Sequence, residues 1–159
     1  MKILVTYYSF SGNTDKIAKM FGKILESKGE VHLQRLKPVN EIKGFIGQCA
    51  AARKKEKAIL EQGVRFDASS YDLVLIGSPV WAFAPTPAMN TFLENLSGLK
   101  GKRVIVLLTS GSGLGVKACF NNIEKALGAK GAGRIDRINI PDRRNQDNDF
   151  VASSLQKVL

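Results

Sequence analysis

Five short runs of β-forming residues alternate with stretches that have the spacing of amphipathic helices, and this alternation restricts the fold more than any other feature of the chain. Residues 2–7 (KILVTY), 73–77 (LVLIG) and 103–108 (RVIVLL) are continuous apolar runs, the pattern of strands covered on both faces. Residues 31–36 (VHLQRL) and 134–140 (RIDRINI) mix polar and apolar side chains, which reads as one wet face or a sheet edge. Between them, Ile17, Met20, Phe21, Ile24 and Leu25 form a helical stripe, which Gly29 is expected to close. A second helix is predicted to start with Ile42, Phe45, Ile46 and Cys49 and to carry ARKKEK in its middle. Met89, Phe92, Leu93 and Leu96 predict a third, opened by Pro87. Phe120, Ile123, Ala126 and Leu127 predict a fourth, closed by Gly128, and Phe150, Leu155 and Val158 a last one. Such alternation implies parallel strands joined by right-handed crossovers. The expected fold is α/β, a doubly wound five-stranded parallel sheet with helices on both faces and the two mixed strands at its edges.

The length of 159 residues predicts a single domain, 1–159, with no internal repeat or linker. No apolar run approaches the roughly 20 residues a membrane-spanning helix needs. The apolar start MKILV is cut short by Thr6, Ser9 and Ser11, so it does not read as a signal peptide. Cys49 and Cys119 stand far apart with no CxxC or histidine pairing, which predicts reduced thiols, no metal site and a cytoplasmic location. The net charge of +10 favours acidic partners at long range, and basic charge for solubility alone accounts for it equally well. Lysine and arginine are spread along the chain without an aromatic–basic stripe, so nucleic acid is not expected as a partner.

Ligands of an open parallel sheet bind beyond the C-terminal ends of its strands. Three of those ends are rich in Gly, Ser or Pro: 9–14 (SFSGNT), 78–87 (SPVWAFAPTP) and 109–115 (TSGSGLG). The first lies where strand one turns into helix one. A helix N-terminus offers unpaired N–H groups and partial positive charge. Ser9, Ser11, Asn13 and Thr14 add side-chain donors there, and Gly12 permits close backbone approach. That set suits a phosphate held by hydrogen bonds without a lysine. An ordinary N-cap by Ser11 or Asn13 is the simpler alternative. The loop is neither GxxxxGK[ST] nor GxGxxG. In the second segment Trp81 sits among Pro79, Pro85 and Pro87 in a stiff turn, placed to stack on a flat aromatic ligand, with Phe83 as a second contact. TSGSGLG is either a border to that ligand or a plain left-handed turn before helix four.

SFSGNT resembles the phosphate loop S/T-x-S/T-G-N-T of the flavodoxin family, and it lies at the family's position between strand one and helix one. The segments 77–87 and 109–115 are similar to the family's two flavin-flanking loops, so the resemblance spans essentially the whole chain. It implies the strand order 2-1-3-4-5, which is adopted here as a match to the flavodoxin arrangement and which two edge strands around three central ones fit. It also implies FMN as cofactor. The implied contacts are Ser9, Phe10, Ser11, Gly12, Asn13 and Thr14 for the phosphate. Pro79, Val80, Trp81, Ala82 and Phe83, then Thr109, Ser110, Gly111 and Gly113, are implied for the ring.

The chain departs from the family's pattern in three ways. The third loop carries no Asp, Glu or Tyr, and the chain is basic, which predicts a second reduction potential less negative than in strongly acidic flavodoxins. Trp81-Ala82-Phe83 contains no glycine, and a positive φ on an ordinary residue costs roughly 1–2 kcal/mol. A peptide flip into that conformation on reduction is therefore expected to be costly, and the one-electron-reduced flavin to accumulate less. Residues 42–62 are longer than a helix two requires, and with Cys49 alone no iron–sulfur cluster is expected. ARKKEK reads as a solvated helix face or a docking patch for an acidic redox partner. The favoured function is an electron carrier between redox proteins with no catalytic residue. The alternative is an NAD(P)H-dependent FMN reductase acting on quinones or other small acceptors, and the remote alternative a non-redox binding module. The chain is expected to be a monomer or homodimer. His32, the only histidine, is expected at the surface of an edge strand.

Overall fold

A computed structural model describes residues 1–41 and 44–159. Five parallel strands form one sheet in the order β2-β1-β3-β4-β5. They are β1 (Lys2–Tyr7), β2 (Glu30–Arg35), β3 (Leu73–Pro79), β4 (Arg103–Ser110) and β5 (Ile135–Pro141). The helices are α1 (Asn13–Leu25), α2 (Phe45–Arg53), α3 (Pro87–Asn95), α4 (Val116–Ala129) and α5 (Asn148–Gln156). β1 lies between β2 and β3, with Leu4 opposite both His32 and Val74. The two mixed strands are the edges, as their composition predicts.

Alternation along the central strands feeds two cores. Leu4, Val74, Ile76, Val104 and Val106 point to one face, where Met89 and Phe92 of α3 and Phe120 and Ile123 of α4 cover them. Ile3, Val5, Leu75, Ile105 and Leu107 point to the other, under Ile17 and Phe21 of α1 and Val151 and Leu155 of α5. Each central strand is therefore buried on both faces along most of its length, and the largely apolar runs KILVTY, LVLIG and RVIVLL follow directly. Cys119 is buried in α4, and burial pushes its thiol up to about 12. Among the described residues, no helix is long and apolar enough to cross a membrane.

Helix ends depart from the sequence reading at three places. α1 stops at Leu25, and Gly29 lies four residues further on at the entrance to β2. A Cβ on Gly29 would come within 1.9 Å of the Met1 carbonyl oxygen, which Glu30 N–H binds at 2.9 Å. That glycine thus serves a close backbone approach and not a helix cap. Gly128 lies inside α4, and it is Gly131, at φ 79°, that takes the left-handed turn after the helix.

The third departure is α2, which ends at Arg53, so ARKKEK is not the middle of a helix. Lys55 takes a positive φ of 56°, and the chain then runs back as an irregular strap along α3. Thr91 Oγ1 donates to the Ala58 carbonyl at 2.6 Å, and Asn90 Nδ2 to the Glu56 carbonyl at 3.0 Å. Ile46, expected on the apolar stripe, is 86% exposed. Ile42 and the side chain of Phe45 lie outside the described residues.

Candidate functional site

The parallel order brings the exits of β1, β3, β4 and β5 to one edge of the sheet, around a cavity of about 290 Å³. Phe10, Ser11, Asn13 and Thr14 wall it from the first loop, Pro79, Val80 and Trp81 from the second, Thr109 and Gly111 from the third. Three segments that the sequence singled out separately therefore meet in space. A tenth wall residue, Asp142, follows β5 and had no signal in the sequence reading.

The loop 9–14 opens α1 without an ordinary cap. Gly12 occupies the N-cap position at φ 94°, ψ −13°, and among the described residues no side chain caps the first turn. Neither Ser11 nor Asn13 caps the helix, contrary to the simpler alternative. Among the described residues the first N–H groups of α1 thus have neither an intrahelical nor a side-chain partner, and a Cβ placed on Gly12 would meet nothing within 4 Å. The space over the positive end of the helix is open. Ser9 is buried and turned inward, its Oγ accepting from Gly12 N–H at 3.2 Å. Thr14 is buried too, its hydroxyl 2.8 Å from that of Thr109. Gly77 makes that packing feasible, since a Cβ there would lie 2.9 Å from Tyr7 Cβ and 3.5 Å from Thr14 Cγ2.

A cation does reach the loop, from a strand that the sequence reading left out of the site. Arg35, at the end of β2, donates from Nη2 to the Ser9 carbonyl at 2.9 Å and places Nη1 3.6 Å from Asp15. Asp15, in the first turn of α1, also accepts from Tyr7 Oη at 2.7 Å and pairs with Lys19 at 2.8 Å. Burial pushes the Asp15 carboxyl up, but the bonds from Lys19 and Tyr7 and the nearby cations outweigh it, so its pKa lies below the ordinary aspartate value. Burial and the bond to Asp15 drive the Tyr7 phenol above its ordinary range. The acid beside the loop is therefore neutralised by its own partners.

The second loop is a two-residue hairpin. Trp81 and Ala84 exchange backbone hydrogen bonds at 3.0 and 2.9 Å, and both central residues have positive φ, Ala82 at 45° and Phe83 at 71°. This is the type I′ pattern that ordinarily selects Asn-Gly. The tight reversal requires positive φ at both positions although neither residue is glycine. Trp81 is only 5% exposed and meets Tyr8 and Phe10 edge to face, with centroids 5.6 and 5.9 Å away. It is both a core residue and a wall of the cavity. Phe83 points elsewhere, 57% exposed and packed on Gly115, where a Cβ would come within 2.6 Å of its ring. Ala82 borders a different surface hollow with Cys49, Arg53 and Lys54.

In the third loop Gly111 faces the cavity, and a Cβ on it would lie 3.6 Å from Asp142 Oδ2. Ser110 turns away, its Oγ 3.1 Å from Asn139 Oδ1. Gly113 and Gly115 supply left-handed turns at φ 77° and 79°, and Gly113 does not line the cavity. Asn13 Nδ2 donates to Asp142 Oδ1 at 3.3 Å. The loop is uncharged, as read from the sequence, but the neighbouring strand exit supplies the carboxylate it lacks. His32 is half-buried on β2, its ring centroid 6.3 Å from that of Tyr71. Burial and the Arg65 charge push its pKa down, and it is not a wall of the cavity.

A family model described as Flavodoxin matches residues 50–134, more than half of the chain. The chain belongs to the flavodoxin family. The matched segment contains the second and third loops but not 9–14, so for the first loop the geometry above is the independent observation. Solved structures similar over nearly the full length share the family fold. A flavoprotein of Bacteroides eggerthii is 22% identical, covers 98% of this chain and 96% of its own, and superposes with a TM-score of 0.74. A flavoprotein of Lactobacillus acidophilus, solved in complex with FMN, is 23% identical over 93% of this chain and 98% of its own, at a TM-score of 0.67. Flavodoxin 2 of Bacillus cereus is 24% identical over 99% of each chain, at 0.61. No curated protein matches the chain.

Proposed function

We propose that this flavodoxin-family chain binds FMN in the cavity at the sheet edge and works as an electron carrier between redox proteins. One observation carries the reading: the N-terminus of α1 is left-handed at Gly12, uncapped by any described side chain, and open beside Gly12. Aligned free amides at a helix start suit a phosphate dianion. The segment Ser9–Thr14 would hold the phosphate, with Ser11 and Asn13 adding side-chain donors. Pro79, Val80 and Trp81 on one side and Thr109 and Gly111 on the other would flank the ring. Ala82, Phe83, Ser110 and Gly113 lie outside the cavity lining and are not assigned a flavin contact. The L. acidophilus flavoprotein with bound FMN supports the same cofactor.

When bound, FMN supplies the one- and two-electron chemistry; the chain sets access and electrostatics. A cavity of about 290 Å³ is at the small end of ligand pockets, about 300–1,000 Å³, which suits a cofactor left partly open to partners. The chain's net charge of +10 favours acidic partners. The chain is proposed to act as one domain.

The test is the absorption spectrum of the purified protein, followed by titration with FMN and with riboflavin and then by mixing with NADPH. A yellow protein that prefers FMN and is not rapidly bleached by NADPH is expected. Rapid bleaching would instead establish an NAD(P)H-dependent reductase. A colourless protein indifferent to micromolar FMN would refute the assignment.

A further inference from the structure

A second cavity, of about 220 Å³, lies beside the first and shares only Trp81 with its walls. Its apolar lining is Pro38, Ala58, Ile59, Trp81, Pro87 and Ala88. The strap after α2 makes this wall, and it is fastened from both sides. Val39 N–H donates to the Ile59 carbonyl at 2.8 Å and Glu61 N–H to the Lys37 carbonyl at 2.8 Å. Thr91 Oγ1 ties Ala58 to α3 at 2.6 Å. The strap formed by residues 54–62 thus walls a chamber over α3 in place of a longer helix.

Size and charge narrow what the chamber can hold. An apolar cavity of about 150 Å³ takes a benzene-sized guest, so this one has room for one or two fused rings. Tyr8 donates its phenol hydrogen to Glu41 at the cavity wall. A carboxylate has about four acceptor positions, so Glu41 can accept from a second donor. Glu56 also lines the wall, and among the described residues the one lysine there, Lys57, is paired with Glu94, which lies outside the cavity. The described lining therefore carries two carboxylates and one engaged cation, within a chain that is basic overall. This set of described side chains disfavours an anion and suits a hydrogen-bond donor.

We propose that this cavity binds an uncharged one- or two-ring aromatic molecule bearing an O–H or N–H donor, with the donor on Glu41 and the ring against Trp81. The site is separate from the flavin assignment, and its occupancy is measurable in flavin-free and FMN-loaded protein alike. A failure of FMN to bind therefore leaves this proposal standing, and the reverse.

Isothermal calorimetry with 2-naphthol tests it. Saturable one-to-one binding is expected, with naphthalene-2-sulfonate and 2-methoxynaphthalene, which lack neutrality and donor respectively, each weaker by at least about tenfold. Ala58→Leu places a larger side chain in the chamber from the strap, where no helix depends on it, and is expected to weaken 2-naphthol by at least about tenfold. Ala88→Leu tests the opposite wall. Amide chemical-shift mapping on the unaltered protein removes any dependence on variant folding: shifts should centre on residues 39–41, 58–59 and 88. Unsaturable uptake of 2-naphthol, equal binding of the sulfonate or the ether, an unchanged affinity in Ala58→Leu, or shifts centred elsewhere would each overturn the assignment.

Discussion

Replacing Ala82 by glycine should make the protein more stable, against the usual effect of an alanine-to-glycine change. Ala82 sits at φ 45° in a hairpin closed by two backbone bonds to Trp81. Holding an ordinary residue in the left-handed region costs roughly 1–2 kcal/mol. Glycine removes that cost but loses about 0.5–1 kcal/mol through the freedom of the unfolded chain. The balance is a gain of roughly 0.5–1 kcal/mol, which for a chain of this length raises the melting temperature by about 1–4 °C. Ala50, exposed in α2 at ordinary helical geometry, provides the opposite case: Ala50→Gly should lower stability by about 1 kcal/mol. Thermal unfolding followed by circular dichroism measures both. If Ala82→Gly melts lower, as Ala50→Gly should, the positive φ carries no strain and the hairpin argument is wrong.

Arg35→Ala removes the hydrogen bond to Ser9 O and the pairing with Asp15. The guanidinium is partly solvated, so a loss of about 1 kcal/mol, or fivefold in FMN affinity, is expected. Riboflavin, which lacks the phosphate, should bind the variant as it binds the original, and an equal loss of both would mean that Arg35 only supports the fold. Asp142→Asn removes the one carboxylate among the described residues of the cavity wall and should strengthen FMN binding about threefold by relieving repulsion of the phosphate, as read by flavin fluorescence titration; weakened binding would show that holding Asn13 matters more. The Asp15 pKa is lowered in the folded state, so its stabilising contribution is complete above the ordinary aspartate value of about pH 4 and is lost as pH falls through the lower folded value. Asp15→Asn should therefore show a shallower loss of denaturation midpoint below pH 4 than the unaltered chain, and identical acid profiles would remove Asp15 from the account.

Burial on both faces writes itself into a strand as an unbroken apolar run, which is why β1, β3 and β4 were legible, and why β2 and β5, mixed in character, were correctly placed at the edges. Helix ends were less so. Gly29 and Gly128 were given capping roles on spacing alone, whereas the Met1 carbonyl and the turn at Gly131 decide where those glycines are needed. ARKKEK has good helical composition, but the left-handed turn at Lys55 and the bonds from Asn90 and Thr91 to the strap set the end of α2. At the site, the three loops were visible because small residues cluster at strand exits. Arg35 and Asp142 were not, since only the sheet order brings the ends of β2 and β5 to the loop of β1. Phe83 was misplaced because the sequence carries no sign of the positive φ that turns its ring toward Gly115.

Trp81 is the only tryptophan of the chain, and it stands in the partition between the two chambers. Nature has thereby installed a single built-in optical reporter at the junction. Its emission needs no deconvolution from other indoles, and a guest entering either compartment perturbs the same fluorophore. Quenching, lifetime and anisotropy of that one ring can follow filling of each chamber in turn, and any cross-talk between them, without a label.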